Sequence, residues 1–418
     1  MALKILISAY ACEPGKGSEP GIGWRWATHA AELGHEVWVV TRRNNRGLIE
    51  EEMHRRAAQT LNFYYYDLPP WARWWKKGGR GVNIYYLLWQ WGAYRSVKRR
   101  PDLPAFDWVH HITFGVHRHP TFMGRLGVPL VVGPVGGAEQ TPMRLRANFP
   151  LSGKLKELLR DTANRLLLWS PPVQSTYRKA TIILCKTRET LAAIPKGARS
   201  RARVYLEVGI DPDEIIIGPP ARAERDDRIN VLYVGRMVYW KGPDLALEAF
   251  ARALASIPEA KLTMVGDGPE RSRLQARAVG LGIDHAVRWV RSLPRGEVMA
   301  LYPQHDVFLF PSLHDSSGNV TLEALANGLP VLVLDLGGPA TIANSDCGRC
   351  VRTTGLSLAQ VIARLSDELV ALARDPALIG KLGDAAVRHA RQYEWQKVVQ
   401  GVYGELEARA HEARRAAD

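Results

Sequence analysis

"VLYVGRMVYWKGPDLALEAF", residues 231–250, is a short apolar run, a glycine, a basic loop and then a helical pattern. Strand, glycine loop, helix is the repeating unit of open parallel α/β sheets. The first half of the chain opens the same way: "LKILISA" (3–9) leads into the glycines of "GSEPGIGW" (17–24). Further apolar runs follow in both halves. "EVWVVT" (36–41), "DWVHHI" (107–112) and "LVVGPV" (130–135) read as strands of the first half. "AKLTMVG" (260–266), "AVRWV" (286–290), "VFLFPS" (307–312) and "PVLVLD" (330–335) read as strands of the second. Between the halves "EVGIDPDEIIIGPPARAERDD" (207–227) is polar and rich in Pro and Gly, a linker. The pattern predicts an α/β fold of two Rossmann-like, parallel-sheet domains with a boundary near 205–225. They cover 1–210 and 211–394, and a charged C-terminal helix, about 395–418, is a candidate to pack back on the first.

The second half holds one further informative segment, "PSLHDSSGNVTLEALANGLPVLVLDLGGP" (311–339). Were it one continuous helix, Asp315 and Glu323 would lie ~12 Å apart along the axis and ~80° apart in direction. Ser316, Ser317 and Gly318 instead suit a helix N-terminus. Val320 to Asn327 reads as helix, Gly328 as the residue after its end, and Val331 to Leu334 as a buried strand. Asp315 then belongs to the loop before the helix and Glu323 to the helix itself. The backbone N–H groups of 317–320 lie between them, as an anion site flanked by two hydroxyl-binding carboxylates. A phosphorylated sugar fits such a site. Arg236 and Lys241 lie at a strand's carboxyl end, where open α/β sheets bind ligands, and two cations there can neutralise a diphosphate without a metal.

Composition narrows the class. The chain has 418 residues, 46% of them hydrophobic and 23% charged, which is enough for two cores and excludes a disordered protein. No apolar run reaches the length of a membrane-spanning helix, and "MALKILISAYACEPG" reads as a first strand rather than a signal peptide. Four scattered cysteines suit a reducing cytoplasm, and the lone Cys347–Cys350 pair is read as structural. The formal charge of +14 asks for an acidic partner. Residues 71–100 hold five Trp, three Tyr, eight Lys or Arg and no acid. Interfacial aromatics with cations favour an anionic membrane surface over nucleic acid, since no nucleic-acid-binding motif accompanies them. A buried aromatic helix with a solvated basic flank is the plain alternative. Arg144 to Trp169 is a second basic amphipathic stretch.

Together these motifs resemble the family-4 glycosyltransferases, retaining nucleotide-sugar enzymes of the GT-B fold in glycosyltransferase group 1. The resemblance rests on "GRMVYWKG" (235–242), "GDGPE" (266–270), "FPSLHDSSGNVTLEALANGLPV" (310–331), "GPVGGAEQ" (133–140), "GSEPGIGWRWATHAAELGHEVWVVT" (17–41) and "YEW" (393–395). The family's first glutamate of the 310–331 segment is Asp315 here, one methylene shorter, and its Gly-Phe-Gly is Ser316-Ser317-Gly318. The resemblance implies that Arg236 and Lys241 bind the donor diphosphate and stabilise the leaving nucleotide. It gives ribose to Glu323 and the transferred sugar to Asp315. It places the amides of Gly318, Asn319 and Val320 at the pyrophosphate and sugar, with Gly235, Gly266 and Val290 also on the donor side. Gly21 and Gly23 approach the donor from the first domain, and His111 (His110 in the alternative register) stands near the donor sugar. Glu19, Gly136, Gly137 and Glu139 are acceptor-side candidates.

His110, His111, His117 and His119 crowd one region, but neighbours on a strand point to opposite faces, so no metal site is expected. Asp211 and Asp213 lie in the linker and are read as structural. The expected reaction moves a sugar from a UDP- or GDP-linked donor to an acceptor hydroxyl, with no cofactor, in a cleft closed against water. The acceptor is expected to be a sugar, a lipid or a lipid-linked glycan of the cell envelope or an exopolysaccharide, and the enzyme cytoplasmic and peripheral on the membrane. A soluble small-molecule acceptor, a nucleotide-sugar epimerase, and a non-catalytic basic binding protein are the rival readings.

Overall fold

The computed structural model describes residues 2–56, 60–75, 78, 81–215 and 229–416. The chain divides into two compact units. The first comprises Met1–Ala138, Thr162–Val208 and Trp395–Asp418, the second Glu139–Asp161 and Gly209–Glu394. The segment Glu139–Asp161, placed by the sequence pattern in the first domain, groups with the second.

The first unit carries seven strands: β1 (Lys4–Ala9), β2 (Glu36–Arg42), β3 (Leu61–Tyr66), β4 (Trp108–Ile112), β5 (Leu130–Val135), β6 (Ala180–Cys185) and β7 (Ala202–Val204). Their order is β3-β2-β1-β4-β5-β6-β7, and every pair is parallel. Parallel strands are covered on both faces, so they read as unbroken apolar runs, and β4 and β5 are buried at every position. Numbering runs outward from β1 in one direction and from β4 in the other. The loops after these two neighbours therefore diverge and leave a crevice at the carboxyl edge.

The second unit repeats the plan with β8 (Asn230–Val234), β9 (Lys261–Val265), β10 (Val287–Val290), β11 (Val307–Phe310), β12 (Val331–Leu334) and β13 (Gly348–Val351). Here the order is β10-β9-β8-β11-β12-β13, again parallel throughout, and the reversal falls between β8 and β11. The loop after β8 holds Arg236 and Lys241, and the loop after β11 holds Asp315. Topology alone thus brings together two motifs about eighty residues apart in sequence.

The aromatic basic stretch is divided. In the helix Val82–Lys98, Tyr85, Tyr86, Trp89 and Tyr94 enter the core, and Trp89 Nε1 donates to the Tyr66 carbonyl at 3.0 Å. Trp71, Trp74, Ile84, Leu88 and Trp91 stay exposed. Lys76, Lys77 and Arg80, three of the stretch's cations, lie outside the described residues.

Candidate functional site

The second unit's site begins where its strands end. Gly235 N donates to Val265 O and Gly266 N to Val290 O, both at 3.0 Å, so Gly235, Gly266 and Val290 step across the carboxyl edge from β8 to β10. Gly266 has a φ of 138°, and a Cβ there would stand 2.0 Å from the Gly235 carbonyl oxygen. The loop after β8 closes at Gly242, with φ at 70°, where a Cβ would stand 2.0 Å from the Pro311 carbonyl. Glycine at both positions lets backbones meet that no side chain would admit. Arg236 is exposed and makes no ion pair among the described residues.

Lys241 reaches across the crevice. Its Nζ forms a close ion pair with Asp315 Oδ2, and the ammonium lies 5.5 Å from the centre of the Phe310 ring. Asp315 is held by its own loop: Oδ1 accepts from the amides of Ser317 at 3.2 Å and Gly318 at 3.4 Å. This corrects the expected anion site over 317–320, since the first two amides already serve Asp315. The amides of Asn319 and Val320 remain as the first two of the helix Asn319–Ala326, where no intrahelical acceptor exists. Gly338 N donates to the Asp315 carbonyl at 2.6 Å, and a Cβ on Gly337 would stand 2.3 Å from that same oxygen. The paired glycines after β12 therefore support the Asp315 loop from behind, a role sequence reading did not assign them.

Glu323 sits on that helix as expected, but with partners no spacing announced. Oε1 accepts from Arg295 Nε at 3.3 Å and Nη2 at 3.2 Å, and Oε2 accepts from the Tyr302 hydroxyl at 3.1 Å. Burial pushes the Glu323 carboxyl above its ordinary range, and the Arg295 guanidinium opposes that shift. Glu139 Oε2 accepts from Ser316 Oγ at 2.6 Å, so this acceptor-side candidate joins the loop of Asp315 in the second unit. Beside them His314 stacks on Trp240 at 5.6 Å and is held neutral by burial and by the charges of Arg160, Lys241 and Arg146.

The first unit's crevice is built from the loops after β1 and β4. Gly21 and Gly23 lie on the helix Ser18–Glu32, where Cβ atoms would stand 2.0 Å from Lys16 O and 2.1 Å from Ala11 O. They serve close packing of the helix on its own loop. Glu19 accepts from the Phe114 amide, beside the left-handed Thr113 and Phe114, and faces the close Lys186–Glu207 pair. Gly136 N donates to Gly115 O at 2.8 Å, and Gly137 takes a φ of 90°.

His111 is corrected in setting: it is buried, with Nε2 at 3.0 Å from the Tyr86 hydroxyl and Nδ1 at 3.2 Å from Ser8 Oγ. Burial pulls its pKa down to about 3. A contact with donor sugar requires one of those ring nitrogens to be released. His110 points the other way, to the Tyr403 hydroxyl at 2.9 Å and the Gly133 carbonyl at 2.7 Å, with its pKa pulled down to about 4. Among the described residues no three His, Cys, Asp or Glu side chains gather as metal ligands.

The family model for glycosyl transferases group 1 matches residues 219–381. The D-inositol 3-phosphate glycosyltransferase of Kribbella flavida is 32% identical over 49% of this chain, and the match spans half of that relative's length. The GDP-mannose-dependent alpha-(1-6)-phosphatidylinositol monomannoside mannosyltransferase of Mycolicibacterium smegmatis is 31% identical over 66% of this chain and 76% of its own. In fold, the chain is similar to sucrose-phosphate synthase from Thermosynechococcus elongatus, with a TM-score of 0.65, 17% identity and coverage of 98% of this chain and 100% of that one.

Proposed function

We propose that this chain, which belongs to the glycosyltransferase group 1 family, moves a sugar from a nucleotide diphosphate onto an acceptor hydroxyl, with the donor on the second unit. One observation carries the reading: at the β8/β11 crevice a half-buried Lys241 pairs with Asp315 just before the helix Asn319–Ala326, and the same loop after β8 carries an exposed Arg236. Charge develops on the diphosphate as the sugar departs. Arg236, Lys241 and the amides of Asn319 and Val320 stabilise it most where water is excluded. Lys241 shifts from Asp315 to phosphate, and Asp315 turns to the sugar hydroxyls. In the step itself the bond from the anomeric carbon to the diphosphate oxygen breaks. The acceptor oxygen bonds that carbon from the same face, and its proton passes to the departing diphosphate, so configuration is retained. The two cations take the role a metal would have, and none is required.

The acceptor is a lipid or lipid-linked glycan, and the enzyme works at the cytoplasmic membrane face. The phosphatidylinositol-linked substrate named for the Mycolicibacterium relative and the exposed Trp71 and Trp74 support this. A soluble polyol phosphate is the second reading, favoured by the acceptor named for the Kribbella relative. The test is thermal unfolding with UDP, GDP and ADP, because a ligand that binds only the folded state raises its midpoint. One of the three should raise it, in the presence of EDTA as well, and Lys241→Ala should remove the rise. A rise that needs Mg²⁺ or Mn²⁺, or that survives in Lys241→Ala, overturns the two-cation site.

A further inference from the structure

The helix Leu151–Leu168 is turned inside out. Leu151 is 85% exposed, and Leu155, Leu158 and Leu159 are 57–61% exposed. Their spacing is that of one helical face, so a continuous leucine stripe points to solvent. The opposite face is polar and buried. Glu157 is 3% exposed at its side chain and takes the guanidinium of Arg160 at 3.3 Å, and Asp161 takes that of Arg146 at 2.7 Å. A Cβ on Gly153 would stand 3.1 Å from the Tyr239 ring, so this face is the seated one. An ordinary surface helix places these two faces the other way round.

Charge says what covers the stripe. Both acids of the helix are turned inward and paired, while its exposed charges, Lys154, Lys156 and Arg165, are all cations. A leucine face flanked by cations with no exposed acid matches an anionic lipid surface, into which such helices sink their apolar face while lying flat. No helix among the described residues is long and apolar enough to cross a membrane. We infer that the leucine face of this helix is the surface on which the protein seats itself on an anionic bilayer. The inference rests on the lipid-acceptor reading and deepens it by naming the docking element.

The experiment is flotation of the full chain with vesicles of equimolar phosphatidylcholine and phosphatidylglycerol, and with phosphatidylcholine alone. The wild type should float with the anionic vesicles and release as salt rises. Leu155→Ser/Leu159→Ser, whose fold circular dichroism checks, should weaken that binding at least about tenfold, because both side chains leave the apolar stripe. Lys154→Gln/Lys156→Gln should weaken it less and flatten its salt dependence. A leucine variant that floats like the wild type overturns the inference. So does a wild type that never floats but dimerises in solution, with the leucine variant monomeric, since the stripe then belongs to a second copy. Nucleotide-induced stabilisation is recorded on the same preparations. Its loss with flotation intact refutes the donor site alone, and intact stabilisation without flotation refutes the docking face alone.

Discussion

Each unit has a crevice where its strand order reverses, and in both a carboxylate spans it. In the first unit Glu19 accepts from the Phe114 amide, and Ala11 N donates to Thr113 Oγ1 at 3.2 Å. Backbone there is tied to side chain, and the nearby cation Lys186 is matched with Glu207. In the second unit Asp315 meets the side chain of Lys241, and Arg236, in the same loop as Lys241, is exposed. An ammonium can exchange a carboxylate for a phosphate without moving the backbone. An amide that holds a left-handed turn cannot change partner without moving that turn. One topology thus yields a structural seam in one unit and an anion-ready crevice in the other, and the difference lies in which groups remain exchangeable.

The largest expected effect separates the two crevices directly. Arg236→Ala or Lys241→Ala should cut kcat/KM by about a hundredfold or more, with thermal midpoints near the wild type, since transition-state charge loses a partner and the core loses nothing. Full activity in either folded variant would erase the distinction between the two crevices. Gly23→Ala tests the first seam by the opposite signature. A methyl 2.1 Å from the Ala11 carbonyl should cost about 1–3 kcal/mol in urea unfolding, by overpacking. Nucleotide affinity should change little by comparison.

Acid should sharpen the comparison further. His110 and His111 are neutral in the folded first unit, with pKa values of about 4 and about 3 against 6.5 when free. A lowered histidine pKa means the unfolded chain binds more protons below pH 6.5. Their contribution is therefore complete above 6.5 and declines as pH falls toward 4 and then 3. The slope is about 1.4 kcal/mol per histidine per pH unit. Urea midpoints measured from pH 7 to 5 should fall, and His111→Gln should flatten the decline. A flat wild-type profile would contradict the buried neutral pair. The smallest effect concerns Glu323→Gln. The charge opposite Arg295 is lost but the hydrogen-bonding shape persists, so nucleotide affinity should drop only several-fold, by roughly 1 kcal/mol. Calorimetric titration with the preferred nucleotide measures it, and normal nucleotide affinity with altered sugar preference would exchange the roles of Glu323 and Asp315.

The sequence was most readable where one residue's neighbours in the chain are also its surroundings. Nine apolar runs were anticipated as strands, and Val331–Leu334 appears with those bounds, because a strand buried on both faces needs apolar residues throughout. β3, "LNFYYY", escaped notice because an edge strand can keep polar and half-exposed positions. β7 and β13 escaped because three or four residues carry little pattern, and β6, "ATIILC", was missed although it is apolar and almost wholly buried. Around the candidate site, the places of Arg236, Lys241 and Asp315 in loops after strands and of Glu323 on a helix were legible from the pattern. Arg295 on Glu323 and Glu139 on Ser316 were not, since those partners lie 28 and 177 residues away and only the folded sheet brings them together. The helix Leu151–Leu168 shows a further limit: periodicity identified two faces but not which of them the protein would cover.

The final helix carries a consequence for how this chain is made. Trp395–Arg415 follows the entire second unit in sequence yet belongs to the first, where Tyr403 is buried against His110 and Trp26. A ribosome delivers residues in order, so the second unit can complete its sheet while the first still lacks the helix that satisfies His110 Nδ1. Such long-range closure is slow, because loop entropy is lost before any contact rewards it. The first unit therefore waits, with an unfinished apolar face, until the helix Trp395–Arg415 has been made.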